Sequence, residues 1–311
     1  MVQELKERRN MSIKYNSMYV DETYAKIFEP NLYRDTVLVP GVTYTDKYQD
    51  GPAGAIYVHK FADGLPTVPG APGRDFTHTL ASDQLIPIHL NNNYQESDKL
   101  YQVQLDSIAA PAGEALMARV TQKIRMGRDL SALGCLITEG TRSSNYGTIG
   151  TATGNVSAMT ALAKERTAAA NAAAASATTV LASPAFMAEF IAEAFGKFTP
   201  QYNDDLINSG ARVIRYLDYN IIECNMLSIP SASIYYDSAD TKKTVAQTDL
   251  ADVNFIMYNP QAFSVVDNLN AFRLNDGGKD FLGVLAQAEV NTGFKVTNPA
   301  LVRIHRKTAA G

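Results

Sequence analysis

The segment from Gly41 to Leu90 contains two strand-forming runs, at 56–61 and 84–90, separated by a dense series of glycines and prolines. The residues in this series are Gly64, Pro66, Pro69, Gly70, Pro72 and Gly73. Glycine and proline at this density do not build a compact element. We therefore predict a long two-stranded ribbon that leaves the body of the protein and returns. An isolated two-stranded ribbon is only marginally stable in water, so we expect it to lie on another protein.

The composition is that of an ordinary globular chain. The 311 residues carry a formal net charge of -4, and 46% of them are hydrophobic. This length is typical of about two domains. Dedicated nucleic-acid binders usually carry a basic field, which this charge does not supply. Cys135 and Cys224 are the only cysteines, so the fold does not depend on a disulfide framework or on an oxidising compartment.

Residues 1–40 are predicted to form an arm. Met1–Asn10 is charged and has no apolar run, which does not fit a signal peptide. Nothing in the arm closes a core by itself, and such arms commonly become ordered only against a neighbour. The codons of Lys6–Arg9 could supply a purine-rich ribosome-binding sequence, so translation from Met11 is a second hypothesis for the start.

The clearest long helix is predicted over Ser107–Ile137. Leu116, Val120 and Ile124 recur every four residues, as expected for the buried face of a helix. Basic residues flank this apolar stripe, so the helix can pack on one side and stay soluble on the other. Gly140 marks its far boundary.

The remainder predicts helices followed by β structure. Residues 141–154 are predicted to be a loop and 157–182 a helix. Ser183 and Pro184 begin a further helix, because serine caps helix N-termini and proline suits the first turn. Strands are expected at Arg212–Leu217, Asn220–Leu227, Val253–Tyr258, Phe272–Leu274, Phe281–Val290 and Gly293–Arg303. This order contains no βαβ repeat and indicates the α+β class.

One stretch, Thr167–Ala188, contains no charged residue. It consists mostly of alanine, serine, threonine and asparagine, and Pro184 interrupts it. Membrane insertion is driven by leucine, isoleucine, phenylalanine and valine, so we expect no membrane span here.

No catalytic, cofactor-binding or metal-binding residue is predicted. The sequence has no Walker A loop, no dinucleotide fingerprint and no nucleophile elbow. Cys135 lies near the apolar side of the long helix, which favours a buried small side chain over a nucleophile. The acidic clusters at 46–50 and 275–280 lack the ligand ladder of a calcium loop, and turn formation explains both.

Three of the four histidines, His59, His78 and His89, lie in or beside the ribbon. They would share a site if the strands paired suitably, but an exposed ribbon does not exclude water, so we favour surface or interface positions. A basic cluster near the C-terminus leaves two alternatives, a solvated tail or a sequence-independent contact with phosphate or an acidic neighbour. Its members are Arg303, His305, Arg306 and Lys307.

A large chain with protruding segments and no catalytic constellation is typical of a protein that contacts copies of itself. Arms and ribbons bury area on neighbours that they cannot bury on their own body. Stable obligate interfaces typically exceed about 2,000 Å². At roughly 25 cal/mol per Å² of apolar area, several such contacts offset the entropy of ordering loose segments.

The order of several stretches carries a family resemblance. They are Ser183–Phe198, Gly210-Ala-Arg-Val-Ile-Arg, Ile221–Leu227, Val253–Tyr258 and Asn298-Pro299-Ala300 before a last apolar strand. In this order the chain resembles the major capsid proteins of tailed bacteriophages, whose fold is named after phage Hong Kong ninety-seven. Encapsulins, which form bacterial shell compartments, share this fold.

The resemblance implies five segments. They are an N-terminal arm (1–40), an extended loop (41–90), a peripheral domain with a spine helix (91–154), an axial domain (155–260) and a return to the peripheral domain (261–311).

The resemblance also implies a function. Such subunits form pentamers and hexamers that build the icosahedral head shell around double-stranded DNA, without cofactors and without reading the DNA sequence. The expected partners are further copies, a portal and a scaffolding or decoration protein, with no membrane. The expected location is the virion, after assembly in the host cytoplasm. An encapsulin-like compartment and a soluble enzyme with an unfamiliar site are the alternatives.

Two family variations bear on this chain. Some members fuse a scaffolding segment of about a hundred residues to the N-terminus, whereas the arm here has about 40, so we expect a separate scaffold or none. Other members join subunits through a Lys–Asn isopeptide bond. Lys47 and Lys60 in the loop and Asn268, Asn270 and Asn275 are the residues this would require, and we do not expect the bond to form.

Overall fold

The structure is a computed structural model that describes residues 38–45, 47, 55–61, 83–101, 112–150, 152–171, 179–194, 213–216, 219–229, 231–276 and 282–309. Its helices are Ala112–Glu139 (α1), Ala158–Asn171 (α2), Pro184–Ala194 (α3) and Gln247–Ala251 (α4). Its strands are Ala55–Phe61 (β1), Asp83–His89 (β2), Asn92–Tyr101 (β3), Thr141–Tyr146 (β4), Thr179–Ala182 (β5), Val213–Tyr216 (β6), Tyr219–Glu223 (β7), Ser233–Tyr236 (β8), Lys242–Val245 (β9), Val253–Tyr258 (β10), Phe263–Asp276 (β11), Gly283–Val296 (β12) and Val302–Arg306 (β13).

The chain divides into two compact units. The smaller contains the described residues of 97–120 and 273–287, and the larger contains the other described residues. The predicted arm lies almost wholly outside the described residues, as do both candidate start sites.

A six-stranded mixed sheet organises the larger unit. Its strand order is β4-β13-β10-β5-β7-β6. β10 pairs antiparallel with β13 and β5, while β4 runs parallel to β13 and β7 runs parallel to β5. All six residues of β10 are buried, and five of them are apolar, because both faces of the strand are covered.

Two separate apolar cores cover the two faces of this sheet. Val180 and Leu181 of β5 point to opposite faces, as consecutive residues of a strand must, and belong to different cores. One core joins the sheet to α2 and α3 and includes Phe186 and Phe255, whose ring centroids lie 4.8 Å apart. The other core includes Leu136 of α1 together with residues of β11 and β12.

Helix α1 confirms the predicted long helix and its stripe. Leu116, Val120 and Ile124 are all buried. From Ser131 to Ile137 every residue is buried, so this part of α1 is enclosed on all sides rather than on one face. The helix ends at Glu139, immediately before Gly140, as expected.

The helix predicted over 157–182 is wrong in its second part. Helix α2 ends at Asn171, and Thr179–Ala182 forms β5, all four residues of which are buried. A short buried strand shows no alternation, so periodicity does not distinguish it from a helix. Ser183 confirms its predicted role as a cap, since its Oγ accepts a hydrogen bond from the Phe186 N–H at 3.3 Å.

Two further segment predictions are wrong. Residues 141–146 form β4, a strand of polar sequence at the edge of the six-stranded sheet, rather than a loop. Residues 283–296 form one strand, so 291–292 is not a turn between two strands. Thr292 is buried within this strand, and its hydroxyl donates to Asp267 Oδ1 at 2.8 Å. In contrast, β6 and β7 confirm strands within Arg212–Leu217 and Asn220–Leu227 and pair antiparallel, although Asn225–Ser228 forms a 3₁₀ helix rather than strand.

The hairpin of β8 and β9 was not predicted, and it packs on α1. Ser233 Oγ donates to the Leu130 carbonyl at 2.7 Å, and Ser131 Oγ donates to the Ile234 carbonyl at 2.7 Å. Gly134 makes this approach possible, because a Cβ there would overlap Ser233 Oγ.

Candidate assembly surfaces

The predicted ribbon is present as an antiparallel hairpin of β1 and β2. Its register places Tyr57 opposite Pro87 and Val58 opposite Ile86. Since successive side chains in a strand alternate, the hairpin has one face with Val58 and Ile86 and another with Tyr57 and Leu85. The connection between the strands, 62–82, lies outside the described residues.

The two faces of the hairpin differ in burial. Val58, Ile86 and Ile88 are buried and form a small core with Val266 of β11. This part of the ribbon therefore rests on its own chain, whereas the sequence predicted that the ribbon needs another protein to lie on. The opposite face is exposed, with 60% of Tyr57 and 53% of Leu85 accessible. An apolar pair on one exposed face is a candidate contact surface.

The histidines of the ribbon do not converge. The register places His59 opposite Leu85 and His89 opposite Ala55, so the two lie four residue positions apart along the hairpin. His59 is exposed and His89 is half-buried. A site shared by these two is not formed, and His78 lies outside the described residues.

Ion pairs hold β3 and β11 against α1 in the larger unit. Lys123 Nζ lies 2.5 Å from Glu96 Oε1. Arg128 Nη2 donates to both carboxylate oxygens of Asp267, at 2.9 and 2.7 Å. The Thr292 hydroxyl donates to the same carboxylate, which ties β12 into the arrangement.

The smaller unit exposes large apolar side chains. Leu282, before β12, is 77% accessible, and Tyr101 and Leu274 are also exposed. Within this unit, Arg119 Nε lies 3.2 Å from Asp98 Oδ2. Exposed leucine and tyrosine side chains on strand ends make this a second candidate contact surface.

The basic cluster at 303–307 is not a solvated tail. Arg303 Nε donates to the buried carboxylate of Glu165 at 2.8 Å. His305 is buried and lies 3.1 Å from Asn254 Nδ2. Lys307 Nζ donates to the Ala251 carbonyl at 2.6 Å. Three of the four residues therefore contact their own chain, so the solvated tail is wrong, whereas contact with phosphate or with an acidic neighbour remains a prediction.

Both cysteines lie in the interior. Burial raises the pKa of the Cys135 thiol well above its ordinary value, and the nearby Glu139 carboxylate raises it further. Burial likewise raises the pKa of Cys224 to about 12, with a further contribution from Asp129. Both thiols are protonated at neutral pH and are shielded from reagents.

The described residues hold no group of three or more histidine, cysteine, aspartate or glutamate side chains placed to bind a metal. Nor does any helix in these ranges have the length and apolar character needed to cross a membrane. The uncharged stretch Thr167–Ala188 is divided among α2, β5 and α3, with 172–178 outside the described residues.

The positions of the residues that an isopeptide bond would require do not test whether this bond forms. Lys47 and Asn275 are exposed and Lys60 is half-buried. The side chains of Asn268 and Asn270 lie outside those described, so the expected absence of the bond remains a prediction.

The fold is shared with solved phage structures. A chain from Mycobacterium phage Che8 aligns over 98% of its length with 94% of this chain, at 16% identity and a TM-score of 0.62. The capsid structure of cyanophage P-SCSP1u aligns over 93% of both chains, at 13% identity and a TM-score of 0.67. The chain has the phage capsid fold. The predicted α+β capsid fold is therefore confirmed.

The structural similarity extends over nearly the whole length of the aligned chains, whereas the sequence identity is low. The acid-stable capsid of Helicobacter pylori bacteriophage KHP30 aligns over 95% of its chain with 94% of this one, at 9% identity and a TM-score of 0.62. No family model and no curated protein matches the sequence.

The residues whose ion pairs hold the surrounding strands and helices together were not identified from the sequence. Asp267 and Glu165 are acidic residues in otherwise ordinary segments, and their partners lie 139 and 138 positions away in the chain. The β8–β9 hairpin carried a readable signal. Ser233-Ile-Tyr-Tyr236 precedes the turn-forming Asp237-Ser-Ala-Asp240, which a second short strand follows.

Proposed function

We propose that this protein is the major capsid protein of a tailed bacteriophage, a subunit that assembles into pentamers and hexamers and builds an icosahedral head shell. The observation that carries the proposal is the likeness of fold, which covers 93% or more of this chain and of capsid chains from distinct phages. The proposed role is structural and involves no reaction.

The β1–β2 hairpin supports this role because one face is already seated on its own subunit. The seated face fixes the direction in which the hairpin leaves the core. The other face presents Tyr57 and Leu85, which an adjacent subunit would cover. Burial of such side chains is worth about 1.5–3 kcal/mol each, so repeated contacts around a capsomer would add up to a stable ring.

The proposal assigns the five segments to roles. Residues 1–40 form the arm, 41–90 the extended loop, 91–154 and 261–311 the peripheral domain, and 155–260 the axial domain around the capsomer axis. In this arrangement peripheral domains meet between capsomers, and arms and loops absorb the difference between pentamers and hexamers.

The shell would enclose double-stranded DNA without sequence-specific contacts. The net charge of -4 suits a wall that does not bind DNA tightly. The further partners of this proposal are a portal and a scaffolding or decoration protein. The proposed location is the virion, with assembly in the host cytoplasm.

Electron microscopy of the purified protein tests the proposal. The chain is expressed alone and together with the neighbouring genes, and the products are separated by sedimentation and imaged in negative stain. Uniform closed particles with fivefold vertices support the proposal. Small oligomers under both conditions overturn it. Closed particles that contain one defined cargo protein would assign an encapsulin-like compartment instead.

A further inference from the structure

The side-chain amide of Asn254 in β10 bonds to two groups through one nitrogen. Its Nδ2 donates to the Gly147 carbonyl at 2.8 Å and lies 3.1 Å from His305 Nδ1. Nδ2 carries two hydrogens, so it can serve both partners. The reverse orientation would place Oδ1 against the Gly147 carbonyl, which puts two acceptors in contact. The Gly147 carbonyl therefore fixes the orientation of the amide.

The orientation of the amide in turn fixes the protonation of His305. An amide nitrogen only donates, so His305 Nδ1 must accept and carries no hydrogen. In the neutral ring the proton then resides on Nε2. The ring is buried and stacks on Phe255, with centroids 4.9 Å apart and an interplanar angle of 6°.

Gly147, whose carbonyl accepts the hydrogen bond from Asn254, begins a tightly turned segment between β4 and α2. We define the Gly147 segment as residues 147–150 and 152–156. The Gly147 N–H donates to the Arg306 carbonyl at 3.0 Å. Its φ is +146°, and a Cβ there would approach Val156 Cγ2 to 2.7 Å, so only glycine fits. Val156 then pairs back onto Thr148 and Gly150 through backbone hydrogen bonds.

The surroundings of His305 disfavour the protonated, positively charged form of its ring. Burial lowers the pKa of His305 below its ordinary value, the Glu165 carboxylate opposes this, and Lys164 adds to it. Glu165 is already paired with Arg303. Strand β10 contacts the ring through Asn254 and Phe255. The charged and titratable groups of the packed elements are Lys164, Glu165 and Arg166 on α2, Arg142 and Tyr146 on β4, Tyr258 on β10, and Arg303 and Arg306 on β13.

We propose that His305 and Asn254 form an acid-sensitive latch that holds the Gly147 segment to the sheet. When Nδ1 takes a proton from solvent it becomes a donor, and it then faces the donor Nδ2. The amide resolves this by turning Oδ1 towards the imidazolium, because a hydrogen bond from a charged donor is the stronger one. The Gly147 carbonyl loses its donor in that orientation, and the segment is released. The proposal does not depend on the shell function.

The direction of the pH dependence follows from linkage. In the closed state, in which Asn254 bonds to Gly147 and His305, burial lowers the pKa of His305 below its ordinary 6.5; release of the segment, the open state, relieves this burial. The latch is therefore complete above pH 6.5 and weakens as the pH falls from 6.5 towards the lower pKa of the closed state. Over that window the open population rises up to about tenfold per pH unit.

Hydrogen exchange with mass spectrometry tests the latch at pH 7.5 and 5.5, after correction for the intrinsic pH dependence of exchange. We expect peptides of the Gly147 segment to lose protection at pH 5.5 by up to about tenfold relative to the β7 segment. The variant His305→Asn keeps an acceptor at the δ position and does not titrate, so the change should disappear. The matched control His59→Asn, on the exposed hairpin face, should retain it. An equal loss of protection of the Gly147 segment at pH 5.5 in the wild type and in His305→Asn overturns the proposal.

Nitrogen-15 NMR spectra of protein with labelled histidines are a second test, and this test does not require the variant to fold. At pH 7.5, His305 should show an unprotonated Nδ1 and a protonated Nε2. If His305→Asn does not fold, the signals of the other three histidines are assigned with single Asn variants, which leaves His305. A protonated Nδ1 at pH 7.5 overturns the proposal.

Discussion

Arg303 places its Nε 2.8 Å from a carboxylate oxygen of Glu165, whose side chain is fully buried. The same carboxylate accepts hydrogen bonds from Ser143 Oγ and from Asn145 Nδ2. One buried acid on α2 therefore joins two neighbouring strands, β4 and β13. A buried charge is tolerated only when it is paired and fully hydrogen-bonded, and here both conditions hold.

Glu165→Ala should lower the free energy of unfolding by about 3–5 kcal/mol, because it leaves the Arg303 charge without a partner in the interior. Urea denaturation of the unassembled subunit measures the change. Lys164→Ala, at the adjacent exposed position of α2, is the control and should stay within about 0.5 kcal/mol of the wild type. Equal effects of the two substitutions would show that the buried pair does not stabilise the subunit.

Gly134→Ala should destabilise the protein by about 1–3 kcal/mol, because the new Cβ would overlap Ser233 and push the β8–β9 hairpin off α1. The control lies in the same helix. At Gly127 a Cβ would meet the Tyr94 ring at 3.4 Å, an ordinary contact, so Gly127→Ala should be neutral or stabilising by up to about 1 kcal/mol. Thermal unfolding compares the two variants. A smaller loss at position 134 than at 127 would contradict the packing argument.

Charges on the exposed face of the hairpin should block assembly and leave the fold intact. The double variant Tyr57→Asp and Leu85→Asp places two carboxylates where the proposed neighbour requires apolar contact. We expect sedimentation to show loss of closed particles, with the circular dichroism spectrum unchanged. Gln84→Asp, an exposed polar position on the same strand, is the control and should assemble. Normal particles from the double variant would remove this face from the proposed interface.

Neither thiol should react in the native protein. Burial raises the pKa of Cys135 and of Cys224 and excludes reagent from both. We expect almost no labelling by a thiol reagent at pH 8, and labelling of two thiols in denaturant. Thr244→Cys places a thiol at an exposed position of β9 and serves as the positive control. Rapid labelling of the native wild type would show that the interior opens locally.

Elements with a strong local pattern could be predicted from the sequence. Helix α1 has regular apolar spacing, α3 begins with Ser-Pro, and β10 is a short, mostly apolar run between polar residues. Each of these signals is complete within a few turns of the chain. The pairing of β1 with β2 was also predictable, because two strand-forming runs flank one long stretch of glycine and proline.

Elements whose identity depends on distant partners were missed. Strand β4 has the polar sequence Thr-Arg-Ser-Ser-Asn-Tyr and is a strand because β13 offers it an edge. Strand β5 is four residues long and follows an alanine-rich region, so only its place between β10 and β7 distinguishes it from a helix. The side of the hairpin that rests on Val266 is likewise set by a residue far along the chain.

Strand β13 lies between β4 and β10, yet it is the last strand of the sheet to be synthesised. During translation, β4 and β10 emerge from the ribosome before the strand that joins them exists. The core can therefore close only after Arg306 has left the exit tunnel. Folding of the subunit, and any association that requires the folded surface, is thereby postponed until β13 has been synthesised. Because folding is late, nascent chains translated from the same messenger RNA would not associate prematurely.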